Sequence, residues 1–214
     1  MKTRIVCLAN SYKEGGRCVA GIEIDSNNDV VYKDFMPNWI RPVCKTTHGE
    51  IPIHLVSDVR PLDIFEFVIT EPAPAGFQTE NVLFDEASLK VVGVFEKEKV
   101  YTLGINNRSN LFGNSGKALT PEMAENLNHS LMLISIGEFE ILAVKYEDCE
   151  HPKFRLKFKY GFFDKDLSIT DPIFLEKYKH DQNILKGINQ IYAVLSVGIL
   201  FEGWHSKLVA CILY

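Results

Sequence analysis

The chain has 214 residues, 46% hydrophobic and 24% charged, a composition that belongs to a folded globular protein and excludes disorder over most of the length. Its formal charge is −5, which excludes a protein that coats nucleic acid or membrane by bulk electrostatics, so any polyanion site must be a local patch. The longest apolar runs, at 131–136 and 208–213, fall far short of the roughly twenty residues a membrane-spanning helix requires, and no membrane partner is expected.

In chain order, residues 4–9 and 18–25 read as strands joined by Lys13-Glu14-Gly15-Gly16-Arg17, whose glycine pair suits a tight reversal. A turn at 25–29 leads into Val30-Val31-Tyr32, followed by Trp39-Ile40-Arg41-Pro42-Val43 and a polar loop to Ile51. Further strands are predicted at 64–70, 81–84 and 89–95. Around residue 104 the composition changes to loop chemistry, and Thr120-Pro121-Glu122 predicts a capped helix to about Asn128. Beyond it, residues 133–136 continuing through 139–146 read as one long or bent strand. Residues 153–160 and 166–170 supply the next two strands, Asp171-Pro172 caps a helix through about Tyr178, and 190–197 and 207–213 are the last two strands.

Three strands, a helix and two strands is the element order of an OB-fold, a five-stranded Greek-key barrel. The first half is compatible with a second copy whose helix is less clear. The expected architecture is therefore mainly β, two tandem OB-like five-stranded barrels with a short connecting helix: a barrel over 1–103, a connecting loop and helix over 104–132, and a barrel over 133–214. The charge divides unevenly, at −4 for residues 1–100, −4 for 101–150 and +3 for 151–214.

The sharpest chemical pattern is Lys153-Phe154-Arg155-Leu156-Lys157-Phe158-Lys159-Tyr160. Alternation along a strand projects Lys153, Arg155, Lys157 and Lys159 from one face, where they could track a phosphate backbone, with Phe162, Phe163 or Trp204 as stacking surfaces. The same pattern also suits the solvated face of any half-buried strand. In the first half, Arg17 and Arg41 with Trp39 suggest a second, more specific phosphate or carboxylate site. Equally, Trp39 fits a core position and Arg41 a surface ion pair. Asp58 and Asp63, bracketing Arg60-Pro61, read as a loop cap and salt bridge.

Enzyme chemistry finds no constellation, and no catalytic residue is expected. Residues 112–118 resemble the end of a phosphate-binding loop, but Leu111 stands where the first glycine is required and Ala118 where magnesium needs Ser or Thr. Six dispersed histidines offer no ligand spacing, so neither a metal nor a cofactor is expected. Cys44 with His48 has the residue types of a thiol and its base, though a buried thiol beside a loop histidine is the plainer reading. Five cysteines without a Cys-x-x-Cys pair predict neither disulfides nor a zinc ribbon, and point to a reducing cytoplasm.

Several segments resemble one family. They are Cys7-Leu8-Ala9-Asn10-Ser11, Gly15-Gly16-Arg17-Cys18-Val19-Ala20-Gly21, Trp39-Ile40-Arg41-Pro42-Val43, Gly49-Glu50-Ile51, Leu62-Asp63-Ile64, Gln78-Thr79-Glu80-Asn81, Asp166-Leu167-Ser168-Ile169-Thr170-Asp171-Pro172 and Leu195-Ser196-Val197. Together they resemble the bacterial dual OB-containing domain family over nearly the whole chain. The resemblance implies two tandem OB barrels acting as a nucleic-acid or nucleotide-binding component of a prokaryotic defence system. The positions carried over are Arg17, Trp39, Arg41, Glu50, Asp63, Gln78, Asn81, Ser168, Thr170 and Asp171; Cys44 departs from the small polar residue common after Pro-Val in the family.

The expectation is a non-catalytic sensor or adaptor that binds nucleic acid or a nucleotide. Two alternatives remain. One is a protein-interaction module for a partner encoded nearby. The other is a small-molecule sensor using Gln78, Asn81 and Asp171.

Overall fold

The computed structural model describes residues 2–108, 110–145 and 150–214. Ser109 of the expected connecting loop, Cys149, and the end of the expected long strand at Tyr146 lie outside the described residues. Two compact units divide the chain, Met1–Ile105 and Asn106–Tyr214.

In the first unit β1 (Lys2–Lys13) and β2 (Gly16–Glu23) form an antiparallel hairpin. Its reversal places Glu14 and Gly15 at φ 41° and 80°, so only the first glycine of the expected pair takes a positive φ, and Gly16 already belongs to β2. Gly21 is required for a different reason. A Cβ there would lie 2.0 Å from the Val6 carbonyl oxygen, so the two strands approach too closely for any side chain. A two-residue ribbon, β3 (Tyr32–Lys33) and β4 (Met36–Pro37), precedes β5 (Trp39–Val43). The four-residue helix α1 (Ile53–Val56) then leads to β6 (Asp63–Pro72) and β7 (Asn81–Val94).

These strands close a barrel in the order β1-β2-β5-β7-β6, with β5 and β7 parallel. Ile5, Cys7, Val19, Ile40, Phe65, Phe67 and Phe84 fill it, and the ring centroids of Phe65, Phe67 and Phe84 follow one another at 5.6 Å. One expectation changes here. Residues 81–84 and 89–95 are parts of one strand, because register shifts against β6 absorb the polar residues between them. At that bulge the Val68 amide donates to Ser88 Oγ at 2.8 Å, a side chain replacing a ladder partner.

In the second unit β8 (Ala118–Leu119) and the short helix α2 (Pro121–Glu125) precede β9 (Leu131–Ile136), β10 (Phe139–Val144), β11 (Lys153–Tyr160) and β12 (Phe163–Ile169). Then come α3 (Pro172–His180), β13 (Ile191–Phe201) and β14 (Trp204–Leu213). The sheet order is β10-β11-β12-β14-β13-β9, with β8 added on β14 and β12 parallel to β14. The expected single strand is divided, since Ile136 and Phe139 are separated by two residues and β9 pairs with β13 while β10 pairs with β11. Taking β9 and β10 as one divided strand, the cyclic order equals that of the first barrel, and each unit places its helix between the third and fourth strands.

Residues 106–132, expected as a connection, belong to the second unit. Two buried lysines hold that stretch down. Lys207 Nζ donates to the carbonyls of Leu111 at 2.6 Å and Asn114 at 3.1 Å and also to Asn114 Oδ1, while Lys165 Nζ donates to the Ser115 carbonyl at 2.6 Å. Burial, together with the neighbouring Lys165 charge, pushes the Lys207 amine down to about 8. Counted over this whole unit, 12 basic side chains face 13 acidic ones, so the basic C-terminal half is basic only from residue 151 onward. Among the described residues, no helix is long and apolar enough to cross a membrane.

Candidate nucleic-acid interface

Strand β11 alternates as its sequence demands: Phe154, Leu156 and Phe158 are buried, and Lys153, Lys157 and Lys159 are exposed. Side chains directly opposite across strands share a face. The register therefore sets Lys157 between Glu140 and Asp166 and sets Lys159 opposite Asp164. Arg155 is withdrawn from this stripe. Its Nε donates to Asp166 Oδ1 at 2.6 Å, Nη2 to the Asp166 carbonyl at 2.7 Å and Nη1 to Ser168 Oγ at 2.9 Å. Three lysines thus remain on the surface, with the guanidinium fixing β11 to β12.

Aromatic side chains collect at one end of the same sheet. Because β12 and β14 run parallel, the turns that precede them, Gly161-Phe162 and Glu202-Gly203, open at the same end. Phe162 is 97% exposed at the first turn, and Phe201 and Trp204 are 72% and 52% exposed across the second. Phe163 is held back by Lys165, whose ammonium lies 4.9 Å from its ring centroid. Lysines that lead along a strand to an unburied ring form a cationic track ending in a stacking platform.

The second expected site does not assemble as a surface. Arg41 is only 2% exposed, its Nη2 3.0 Å from Glu80 Oε1 and its Nη1 donating to Asn81 Oδ1 at 3.2 Å. Asn81 Nδ2 in turn donates to Gln78 Oε1 at 3.3 Å. The parallel pairing of Arg41 with Asn81 brings these motifs together, and their chemistry is spent inside the fold. Arg17 exchanges both backbone hydrogen bonds with Ile51 at 2.9 Å, while its guanidinium rests 4.7 Å from the Tyr12 ring centroid. Trp39 is half-buried opposite Ile22.

The remaining family positions are also local fasteners. Asp171 Oδ1 accepts from the Ile173 and Phe174 amides, each at 3.0 Å, and Oδ2 accepts from Ile212 at 3.1 Å, so one carboxylate caps α3 and ties it to β14. With Gln78, Asn81 and Asp171 so occupied, the small-molecule pocket expected from them loses its oriented groups. Asp63 accepts from the Arg60 amide at 2.7 Å, which makes it the expected loop cap. Glu50 accepts from Thr46 Oγ1 at 2.8 Å and the His48 amide at 3.1 Å, and its own backbone amide first, then these two partners, hold its carboxyl below the usual range. Thr170 Oγ1 donates to the Val209 carbonyl at 3.2 Å.

Burial first, then the Glu86 carboxylate, pushes the Cys44 thiol up to about 12, so it stays protonated and is no nucleophile for His48 to activate. Among the described residues, no group of three His, Cys, Asp or Glu side chains is placed to hold a metal. Neither Lys165, set between Asp164 and Asp166, nor Lys207, at the head of an apolar run, carries a sign in the sequence that loop carbonyls will surround it.

A family model described as the dual OB-containing domain matches residues 3–212. No curated protein sequence matches the chain. Among solved structures, the crystal structure of a HINb domain aligns over 96% of this chain and 95% of that one, with 10% identity and a TM-score of 0.36, too loosely to bear on function.

Proposed function

The chain belongs to the dual OB-containing domain family, and we propose that it is a non-catalytic protein that binds nucleic acid or a nucleotide, as a cytoplasmic sensor or adaptor in a prokaryotic defence system. The observation that carries the binding reading is the outer face of β11, where Lys153, Lys157 and Lys159 lead to the exposed Phe162 ring. Along the strand Lys153 and Lys157 are about 13 Å apart and Lys157 and Lys159 about 6.6 Å, so a single strand lying along β11 meets three cations and stacks a base on Phe162. The outer face of the second and third strands is also where an OB barrel takes oligonucleotides. Acidic neighbours Glu140, Asp164 and Asp166 lower the affinity of this track and make it selective for a strand in register with the lysines.

Fluorescence anisotropy with labelled single-stranded DNA, single-stranded RNA and duplex DNA at low salt tests this reading. Single strands are expected to bind more tightly than duplex; absence of binding by all three would end it.

A protein partner is the second reading, favoured by the exposed Leu200, Phe201 and Trp204 on the β13–β14 hairpin.

A further inference from the structure

On the outer face of the first barrel, Arg4 of β1, Glu66 of β6 and Lys90 of β7 stand in one cross-strand row, with Lys2 two residues before Arg4. The Glu66 side chain is 4% exposed, and three cations converge on it: Lys2 Nζ at 3.0 Å, Lys90 Nζ at 3.1 Å and Arg4 Nε at 3.2 Å. Their hydrogen bonds hold the Glu66 carboxyl well below its usual range.

One carboxylate balances one of these cations, so the cluster carries two positive charges beyond Glu66 itself. The excess is notable because residues 1–100 carry a net charge of −4. Asp85 lies opposite Val68 in the row that begins at Lys2, its Oδ1 accepting from the Ala87 amide at 3.1 Å, and its charge offsets part of that excess. Three like charges gathered around one buried carboxylate repel one another, and an anion placed over them relieves that repulsion. Lys2 and Lys90 remain 64% and 59% exposed, so their donors reach outward as well as toward Glu66.

We infer that Lys2, Arg4 and Lys90, organised by Glu66, form a second binding site, specific for a phosphate group. Glu66 acts as the organiser: it fixes three flexible side chains in one place before the ligand arrives, so less conformational freedom is lost on binding. The phosphate comes from a nucleic-acid backbone or from a free di- or triphosphate, and for the nucleic-acid source the inference rests on the function proposed above.

The test is calorimetric titration with pyrophosphate and anisotropy with labelled oligothymidylate, on the full chain and on a Lys2→Ala, Lys90→Ala double variant. The double variant is expected to bind pyrophosphate at least about tenfold more weakly, since each lost contact is a hydrogen bond between charged groups. Its melting temperature serves as the control for folding; some fall is expected because the buried Glu66 carboxylate keeps only Arg4, so affinities are compared at a temperature where both proteins are folded. Pyrophosphate binding that is lost in the variant, with no oligonucleotide binding by either protein, supports the phosphate site and overturns the nucleic-acid reading. Unchanged pyrophosphate and oligonucleotide affinity in the variant overturns the site and leaves that reading standing. No pyrophosphate binding by the full chain also overturns the site, and the oligonucleotide arm then judges the nucleic-acid reading by itself.

Discussion

Arg41, from the most distinctive aromatic segment of the first half, lies inside the structure against Glu80 and Asn81. Replacing it leaves the Glu80 carboxylate buried beside a vacated cation position. Arg41→Ala is therefore expected to destabilise the first unit by about 3–5 kcal/mol, read as a fall in its denaturation midpoint, while oligonucleotide affinity of the folded fraction is unchanged. Loss of affinity without loss of stability would return Arg41 to the binding site. Glu66 makes a pH-dependent prediction. Its carboxyl titrates at about 2 in the folded chain and near 4.5 when unfolded, so on acidification the unfolded chain takes up the proton first. The stabilisation is full above 4.5 and is lost as pH falls through about 2. Denaturation measured across that window in wild type and Glu66→Gln checks the sign, since the variant should lack this part of the slope.

Among the elements, those whose pattern is set locally were legible in sequence. Residues 153–160 read as a strand because one face is buried and the other solvated, and Asp171-Pro172 read as a helix start because the cap is local chemistry. Elements defined by their partners were not. The division between β9 and β10 follows from pairing with β13 on one side and β11 on the other, and the continuity of β7 from bulges against β6. The site was legible in the same partial way. Alternation placed the lysines of β11 on one face, whereas the capture of Arg155 by Asp166 and Ser168 depended on a strand register no periodicity reveals. At this scale Asp171 is predicted to matter most. Asp171→Ala removes two cap bonds and the bond to Ile212 and should destabilise the second unit by about 1–3 kcal/mol in thermal melts. A change below about 0.5 kcal/mol would contradict the role given to its carboxylate.

Across the whole molecule, the same strand order recurs in both units with different surfaces laid over it. The first carries −4 and collects its excess cations around Glu66; the second is nearly neutral and sets three exposed lysines along β11 before an unburied ring. Neither average charge predicts a polyanion site, and each permits one where a strand register gathers cations. The measurement closest to this account is the salt dependence of single-stranded oligonucleotide binding by wild type and by a Lys153→Ala, Lys157→Ala, Lys159→Ala variant. If the three lysines contact phosphates, the slope of log affinity against log salt becomes shallower by about 2 in the variant, at roughly 0.7 per contact. An identical slope and affinity in the two proteins would contradict the account.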